Sequence, residues 1–343
     1  MAMNEATFKP LLLKLVDDPE AFTSQDIELA IKHLATPDGA SPTQVGAFLT
    51  ALKCSGKEKT PDTLSACARV MMDCCLPVQL EDPDDFYVDI VGTGAMDTTP
   101  SMCRLPPQSL RQALHGNKAS TSSSGSADIL RALGCSLPHM TILPKVPFLF
   151  LLASHYHPAM AIIAPFRKAL PFRTLFNIIG PLINPSRPKG IVVGVAEPSL
   201  GPIFTKTLRM LGVRRAIVVC GAENLDEISI AGPTLTWSFF EGTDIQQERI
   251  EPSNFGLPTH HLSSVVGSTP GDNAELLLSL LSNEASPSNG ADPSAVLDFI
   301  LLNAAALLRV AGLTTSYKEG VELARESISS GRALVALQSF KSL

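Results

Sequence analysis

Two stretches of this chain carry residues suited to binding an anion and a hard metal ion. Residues 89–94 read Asp-Ile-Val-Gly-Thr-Gly, an apolar run that ends in two glycines. This pattern predicts a buried strand leading into a turn whose glycines let backbone N–H groups approach an anion. Asp226 and Glu227 are adjacent carboxylates, and carboxylate oxygens are ligands that Mg²⁺ prefers. Neither pattern is specific alone, because an isolated Asp-Glu pair is more often a solvated acidic turn.

Further motifs follow the glycine turn in a fixed order. They are His115-Gly116-Asn117, the hydroxyl-rich residues 120–126, His157-Pro158-Ala159-Met160, Gly180-Pro181-Leu182-Ile183-Asn184-Pro185 and Leu225-Asp226-Glu227-Ile228-Ser229. Together they resemble the anthranilate phosphoribosyltransferase family, and its fungal members in particular. The resemblance covers nearly the whole chain. It implies transfer of the phosphoribosyl group of phosphoribosyl pyrophosphate to anthranilate with release of pyrophosphate, the second committed step of tryptophan biosynthesis.

The resemblance also implies the ligands and site residues. Expected partners are the two small substrates, Mg²⁺ and a second copy of the chain. The phosphoribosyl pyrophosphate site would comprise Gly92, Thr93, Gly94, His115, Gly116, Asn117, Lys118, Ser120, Ser122 and Ser126. The anthranilate site would comprise Gly92, Asn117, His157, Arg167 and Pro181, and the metal ligands would be Asp226 and Glu227. No side chain is expected to act as a nucleophile, because the anthranilate amine is already nucleophilic.

Each of these residues also has a simpler interpretation. A Ser-rich run is usually a linker, but residues 120–126 lead directly into a helical pattern at 127–133 with Gly134 as its stop, so anion binding at a helix start is reasonable. Arg167 lies beside Lys168. Without the flanking motifs, an ordinary surface cation would be about as good an interpretation of Arg167 as a residue that binds the anthranilate carboxylate. His157 is assigned only a lining role.

The distribution of apolar residues predicts two domains. Within residues 8–70 they recur every three or four positions, which predicts amphipathic helices, with Ser24 as an ordinary N-cap and Ser41-Pro42 as a helix start. Residues 1–76 are expected to form a helical dimerisation domain, which in the resembled family also takes back a segment, here at about 170–187. Residues 82–169 and 188–343 are expected to form an α/β domain that binds phosphoribosyl pyrophosphate.

The second domain is predicted from alternating strands and helices. Apolar runs at 89–91, 190–195 and 215–220 alternate with helical patterns at 127–133, 203–211 and 296–311, which argues for a largely parallel central sheet covered on both faces. The chain is expected to end in a helix pair at 295–310 and 317–331. The overall fold class is therefore α/β with a small N-terminal helical domain, like that of nucleoside phosphorylases and phosphoribosyltransferases.

Composition limits the classes of protein that fit. The 343 residues are 45% hydrophobic, enough for two cores. A formal net charge of −6 disfavours a nucleic-acid partner. Seven cysteines without metal-ligand spacing predict reduced thiols in the cytosol. Residues 1–9 lack a signal pattern, and the apolar stretch 146–166 is interrupted by His and Pro, so no membrane association is expected.

Residues 95–114 depart from the family. After Gly-Thr-Gly the family continues with Gly-Asp, then an Asn-x-Ser-Thr element that opens an apolar helix, and later a Lys before His-Gly-Asn. In this chain Ala95-Met96 replaces the Gly-Asp pair and Leu114 replaces the Lys. Pro100, Pro106 and Pro107 lie between them and oppose a helix. The expected ligands of this segment are missing.

A reading-frame shift accounts for the departure. Permitted codons for residues 95–112, moved one base upstream, encode Gly-Asp-Gly-His-Asn-Thr-Phe-Asn-Val-Ser-Thr-Thr-Ala-Ser-Ile-Ile-Ala-Ser, which restores both elements in order. We therefore hypothesise that residues 95–114 are translated out of frame and that the chain as written is impaired. Two alternatives remain: a pyrimidine nucleoside phosphorylase-like enzyme, which would not respond to anthranilate with phosphoribosyl pyrophosphate, and a catalytically silent binding or dimerisation homologue.

Overall fold

The computed structural model of the chain describes residues 3–82, 84–93, 110–117, 125–284 and 291–343. The chain forms two compact units. One comprises Met1–Pro77, Ala153–Pro185 and Lys206–Gly212, and the other comprises Val78–Leu152, Ser186–Thr205 and Val213–Leu343. The second segment of the helical unit thus begins earlier than the expected 170–187, because two helices that follow a buried strand group with the N-terminal helices.

The elements are numbered in chain order within the described residues. The helices are α1 (Glu5–Asp17), α2 (Ser24–Ala35), α3 (Pro42–Cys54), α4 (Pro61–Asp73), α5 (Ser126–Ala132), α6 (Ala153–Tyr156), α7 (Pro158–Ala169), α8 (Leu175–Ile178), α9 (Leu200–Met210), α10 (Pro270–Ser282), α11 (Pro293–Ala311), α12 (Tyr317–Ser329) and α13 (Arg332–Lys341). The strands are β1 (Gln79–Leu80), β2 (Tyr87–Gly92), β3 (Arg111–Gly116), β4 (Ile142–Leu143), β5 (Phe148–Leu152), β6 (Gly190–Gly194), β7 (Arg215–Gly221), β8 (Thr234–Phe239) and β9 (Gln246–Ile250).

Local side-chain caps define the starts of the N-terminal helices. Ser41 caps α3, with Pro42 at its first position and Gln44 completing a capping box, which confirms the predicted start. The expectation for Ser24 is wrong, because Thr23 caps α2 and exchanges hydrogen bonds with Asp26. An N-cap needs an extended backbone, which Thr23 has and which Ser24, already inside the helix, lacks.

The α/β unit is built on one seven-stranded sheet among the described residues, in the order β5-β3-β2-β6-β7-β8-β9. The strands from β5 to β7 are mutually parallel, and β8 and β9 are antiparallel. The predicted fold class is confirmed, and the apolar runs correctly located β2, β6 and β7. β9 runs antiparallel to β8 because the two strands are joined by a short turn, whereas a parallel pair needs a long crossover.

α11 is the central helix of this unit. It packs against β2, β6 and β7 of the sheet and against α12. Its length and composition would allow it to cross a membrane, yet most of its residues are buried inside the unit, as in a core helix of a folded domain. α11 and α12 match the predicted helix pair, and α13 follows them after Gly331, whose φ of 77° suits glycine.

Candidate active site

The carboxyl ends of the parallel strands form the floor of the candidate site. In the parallel register Gly92, the last residue of β2, pairs with Gly194, the last residue of β6. The Thr93 amide then donates to the Gly194 carbonyl at 3.1 Å, which extends the pairing beyond the strand. Residues that follow β2, β3, β6 and β7 are therefore gathered at one edge of the sheet, where open α/β sheets bind ligands. Gly94 lies outside the described residues.

Asp226 and Glu227 lie on a loop that follows β7. The chain reverses through Asn224, at a φ of 58°, and the Gly221 amide donates to the Leu225 carbonyl at 2.8 Å. Both carboxylates are buried, each at 5% exposure. Burial, and then the charges of Asp226 and Glu197, raise the pKa of the Cys220 thiol to about 11. Asp226 and Glu197 thus both contribute negative charge near Cys220.

Two glycines make room for Asp226. A β-carbon on Gly92 would lie 2.5 Å from Asp226 Oδ2, and one on Gly194 would overlap the Asp226 carbonyl. The carboxylate therefore lies directly beside the start of the Gly-Thr-Gly turn. No group of three or more His, Cys, Asp or Glu side chains able to hold a metal occurs in the described part of the chain. A buried carboxylate beside the glycine turn, followed in the chain by a second buried carboxylate, fits Mg²⁺ that takes its remaining ligands from substrate oxygens.

Gly194 was not identified from the sequence. Its signal was a glycine closing the apolar run Gly190-Ile-Val-Val-Gly194, since a glycine at a strand end often marks close approach of another backbone. The neighbour that approaches, Asp226, is not evident from the run itself.

The His115-Gly116-Asn117 motif closes β3 at the same edge. His115 is buried, Asn117 is exposed, and Gly116 lies against the Phe150 ring of β5. Ser126 is the first residue of α5, which ends before Gly134 at a φ of 78°, as predicted. Lys118, Ser120 and Ser122 lie outside the described residues.

The remaining predicted site residues, His157, Arg167 and Pro181, belong to the helical unit. Pro181 is buried in the short 3₁₀ turn Gly180–Leu182. Arg167 lies in the last turn of α7, and its Nε is buried without a hydrogen-bonding partner among the described residues. Burial, and then the charge of Arg173, lower the pKa of the Arg167 guanidinium. A desolvated guanidinium beside a second one is suited to binding a carboxylate.

His157 precedes α7 and is buried. Burial lowers its pKa from 6.5 to about 4, against a smaller opposing effect of a backbone hydrogen bond at Ile183. The imidazole is therefore neutral at physiological pH, consistent with a lining role and not with a cationic one.

We expect His157 to make the folded protein sensitive to acid. Between pH 6.5 and about 4 the unfolded chain binds a proton that the folded chain does not, so stability is full above this window and falls as pH decreases through it. From pH 7 to pH 5 the loss due to this residue should be about 2 kcal/mol. Urea unfolding at both pH values should show a loss smaller by that amount in His157→Gln. Equal losses in the two proteins would contradict the assignment.

Comparisons with known proteins match both parts of the chain. The sequence model of the glycosyl transferase family, a/b domain, matches residues 85–334, and that of the glycosyl transferase family, helical bundle domain, matches residues 9–75. Anthranilate phosphoribosyltransferase of Schizosaccharomyces pombe is 40% identical over 98% of this chain and 98% of its own. The Caulobacter vibrioides enzyme is 37% identical over 96% of this chain and 95% of its own.

Solved structures agree with the sequence relatives. The Saccharomyces cerevisiae anthranilate phosphoribosyltransferase in complex with PRPP and Mg has a TM-score of 0.85 at 31% identity, covering 99% of this chain and 98% of its own. The same enzyme in complex with 4-fluoroanthranilate has a TM-score of 0.84 at 29% identity, with the same coverage. The Thermus thermophilus enzyme has a TM-score of 0.84 at 31% identity, covering 97% of this chain and 98% of its own.

Proposed function

This chain belongs to the anthranilate phosphoribosyltransferase family, and from that premise we propose that its site joins anthranilate to phosphoribosyl pyrophosphate. In this reaction the anthranilate nitrogen bonds to C1 of the ribose while the C1–O bond to pyrophosphate breaks, and the amine releases a proton. The observation that carries the proposal is the Asp226 carboxylate lying beside Gly92 at the end of β2. One buried carboxylate thus lies next to the turn expected to hold the phosphates, and a second buried acidic residue, Glu227, follows it in the chain.

Each of the two substrates is proposed to bind its own set of residues, and two residues are common to both sets. The donor is proposed to contact Gly92, Thr93, His115, Gly116, Asn117 and Ser126, together with Gly94, Lys118, Ser120 and Ser122. Anthranilate is proposed to contact Arg167, His157 and Pro181, together with Gly92 and Asn117. When bound through Asp226 and Glu227, Mg²⁺ would neutralise charge on the pyrophosphate leaving group. In an enzyme with the reading frame restored, turnover with this substrate pair and Mg²⁺, and none with pyrimidine nucleosides and phosphate, tests the proposal.

Arg167 is proposed to determine acceptor affinity. In an enzyme with the reading frame restored, Arg167→Ala should raise the KM for anthranilate about 10–100-fold, because a charge-assisted pair with its carboxylate is lost, while the KM for phosphoribosyl pyrophosphate should change little. Lys168→Ala, which removes a neighbouring exposed cation, is the matched control and should leave both constants near their starting values. An effect of Arg167→Ala on the donor alone would refute the assignment.

Residues 110–114 are the part of the segment 95–114 that the structure describes, and they support the hypothesis that this segment is translated out of frame. Gln112 lies fully buried in β3, between β5 and β2, and neither its amide oxygen nor its nitrogen has a hydrogen-bonding partner among the described residues. An unsatisfied buried polar group costs about 1–3 kcal/mol, and strands inside a parallel sheet are normally apolar, as β5 is. The shifted frame places a smaller Ser here. Residues 94–109 lie outside the described residues.

The transcript decides whether the frame is displaced. Sequencing across residues 94–115 should show a frame or splice boundary that restores the family pattern. An in-frame message encoding Ala95-Met96, together with close relatives that carry the same peptide, would overturn the proposal.

The helical unit is proposed to form a homodimer. Leu13 and Val16 lie on one face of α1 and are 57% and 58% exposed, a position that suits a self-complementary apolar contact. Sedimentation velocity at micromolar concentration should show a dimer, and Leu13→Asp with Val16→Asp should convert it to a folded monomer. Leu278→Asp with Val335→Asp, which alters exposed apolar residues of the α/β unit, should leave the dimer intact. A folded monomer in the frame-restored protein, with α1 unaltered, would contradict the proposal.

The enzyme is proposed to act in the cytosol. Its six described cysteines are free, and three of them are buried, as expected for reduced thiols. The small-molecule substrates and the negative net charge are consistent with a location away from nucleic acids and membranes.

A further inference from the structure

One buried amide links the loop of Asp226 and Glu227 to the central helix. The side chain of Asn303, in α11, is 0% exposed. Its Oδ1 accepts a hydrogen bond from the Ile228 amide at 3.2 Å, and its Nδ2 donates to the Phe299 carbonyl one turn earlier at 3.1 Å. Ile228 directly follows Glu227, so the bond is made to the backbone next to the two carboxylates.

The bond to Phe299 fixes the orientation of this amide. Donation to a carbonyl four residues earlier holds Nδ2 against the helix and turns Oδ1 toward the Ile228 amide. The neighbouring residues Leu301, Leu302, Ala305 and Ala306 are buried and apolar, so they offer no replacement acceptor. Asn303 is the polar residue among the buried residues of α11, and its side-chain amide makes a hydrogen bond through each of its two polar atoms.

The loop is restrained at three successive places around the carboxylates. The Asp226 backbone lies against Gly194, the Ile228 amide donates to Asn303, and the Ser229 amide donates to Thr234 Oγ1 at 2.9 Å. Gly194 and Thr234 belong to strands that flank the loop. Asn303 is 75 residues away in the sequence and lies on the helix that packs against β2, β6 and β7. Asn303 therefore fixes the position of the loop that carries the two carboxylates relative to the strand ends at Gly92 and Gly194.

We propose that Asn303 is the positioning residue of the Asp226-Glu227 metal ligands, and this rests on the function proposed above. A cation held by two protein carboxylates has few protein ligands, so its affinity depends on how well their geometry is fixed in advance. Removing the acceptor of the Ile228 amide would free the backbone that carries both ligands. Groups that orient metal ligands typically change metal affinity 10–100-fold when they are removed.

A metal titration of the full chain tests this proposal without requiring catalysis. Mn²⁺ alone is titrated into the protein and free Mn²⁺ is followed by its paramagnetic resonance signal. Asn303→Leu should weaken binding about 10–100-fold. Asn303→Thr, whose hydroxyl can still donate to the Phe299 carbonyl but is too short to replace Oδ1, should weaken it similarly and decides the matter if the Leu variant does not fold.

Asn273 provides the matched control. It is a second buried amide of the same unit, which accepts from the Ser268 amide at 3.0 Å and donates to the Ser268 carbonyl at 3.2 Å, at the start of α10. Asn273→Leu should lower the thermal unfolding temperature as Asn303→Leu does but leave Mn²⁺ affinity within about 3-fold, because it does not contact the carboxylate loop.

The outcomes separate the positioning role from the metal assignment. Mn²⁺ binding that is abolished by Asp226→Asn with Glu227→Gln, and weakened by both Asn303 variants but not by Asn273→Leu, supports the proposal. Equal affinities in the Asn303 and Asn273 variants overturn the positioning role while the metal assignment stands. Absence of binding at Asp226 and Glu227 in the unaltered chain overturns both.

Discussion

Restoring the reading frame across residues 95–114 should increase the rate of phosphoribosyl-anthranilate formation by at least about 10³-fold over the chain as written. The family pattern supplies a Gly-Asp turn, a hydroxyl-bearing helix start and a Lys before His115, and the written sequence supplies none of them. Loss of one preorganised electrostatic contact commonly costs about 10²–10³-fold in rate. Several are lost together, and because effects within one site do not add, we expect activity below ordinary detection.

The comparison requires that both proteins be folded. Circular dichroism and thermal unfolding of the purified chains establish this before rates are measured with both substrates and Mg²⁺. A protein of the written sequence that matches the restored one in rate would show that residues 95–114 build a working donor pocket, and the impairment hypothesis would fail. An unfolded written chain would instead show that residues 95–114 impair folding.

Replacing both Asp226 and Glu227 by Ala in the frame-restored enzyme should abolish turnover, a loss of at least about 10³-fold, while the fold is retained. The two carboxylates are the protein ligands expected to hold Mg²⁺ against the pyrophosphate, and each is 5% exposed, so water cannot readily replace them. Rates measured over a range of MgCl₂ concentrations report the effect.

A charge-matched control distinguishes the loss of metal binding from the general electrostatic effect of removing two negative charges. Glu241→Ala with Asp244→Ala removes two exposed carboxylates from the turn between β8 and β9 in the same unit. That enzyme should keep its rate and its magnesium dependence. Unchanged magnesium-dependent turnover after replacement of Asp226 and Glu227 would refute the assignment of these residues as ligands.

The sequence determined those features that depend on neighbours within a few residues. The cap at Ser41-Pro42 and the end of α5 at Gly134 are local hydrogen-bonding and backbone preferences, so they were predicted correctly. β2, β6 and β7 were predicted because strands buried on both faces are continuous apolar runs. The family motifs then identified the candidate residues, including Asp226 and Glu227.

The tertiary structure alone decided which of these residues meet. The parallel register pairs Gly92 with Gly194, and only this pairing shows why glycine suits both positions: the Asp226 carboxylate approaches Gly92 and the Asp226 backbone approaches Gly194. The polar residue in the middle of α11 gave no sign in the sequence that its partner is the Ile228 amide, 75 positions away. The local pattern of apolar and polar residues in the sequence indicates which side of a helix or strand is buried. Contacts between distant segments are set by sheet order and helix packing, which depend on the whole chain at once.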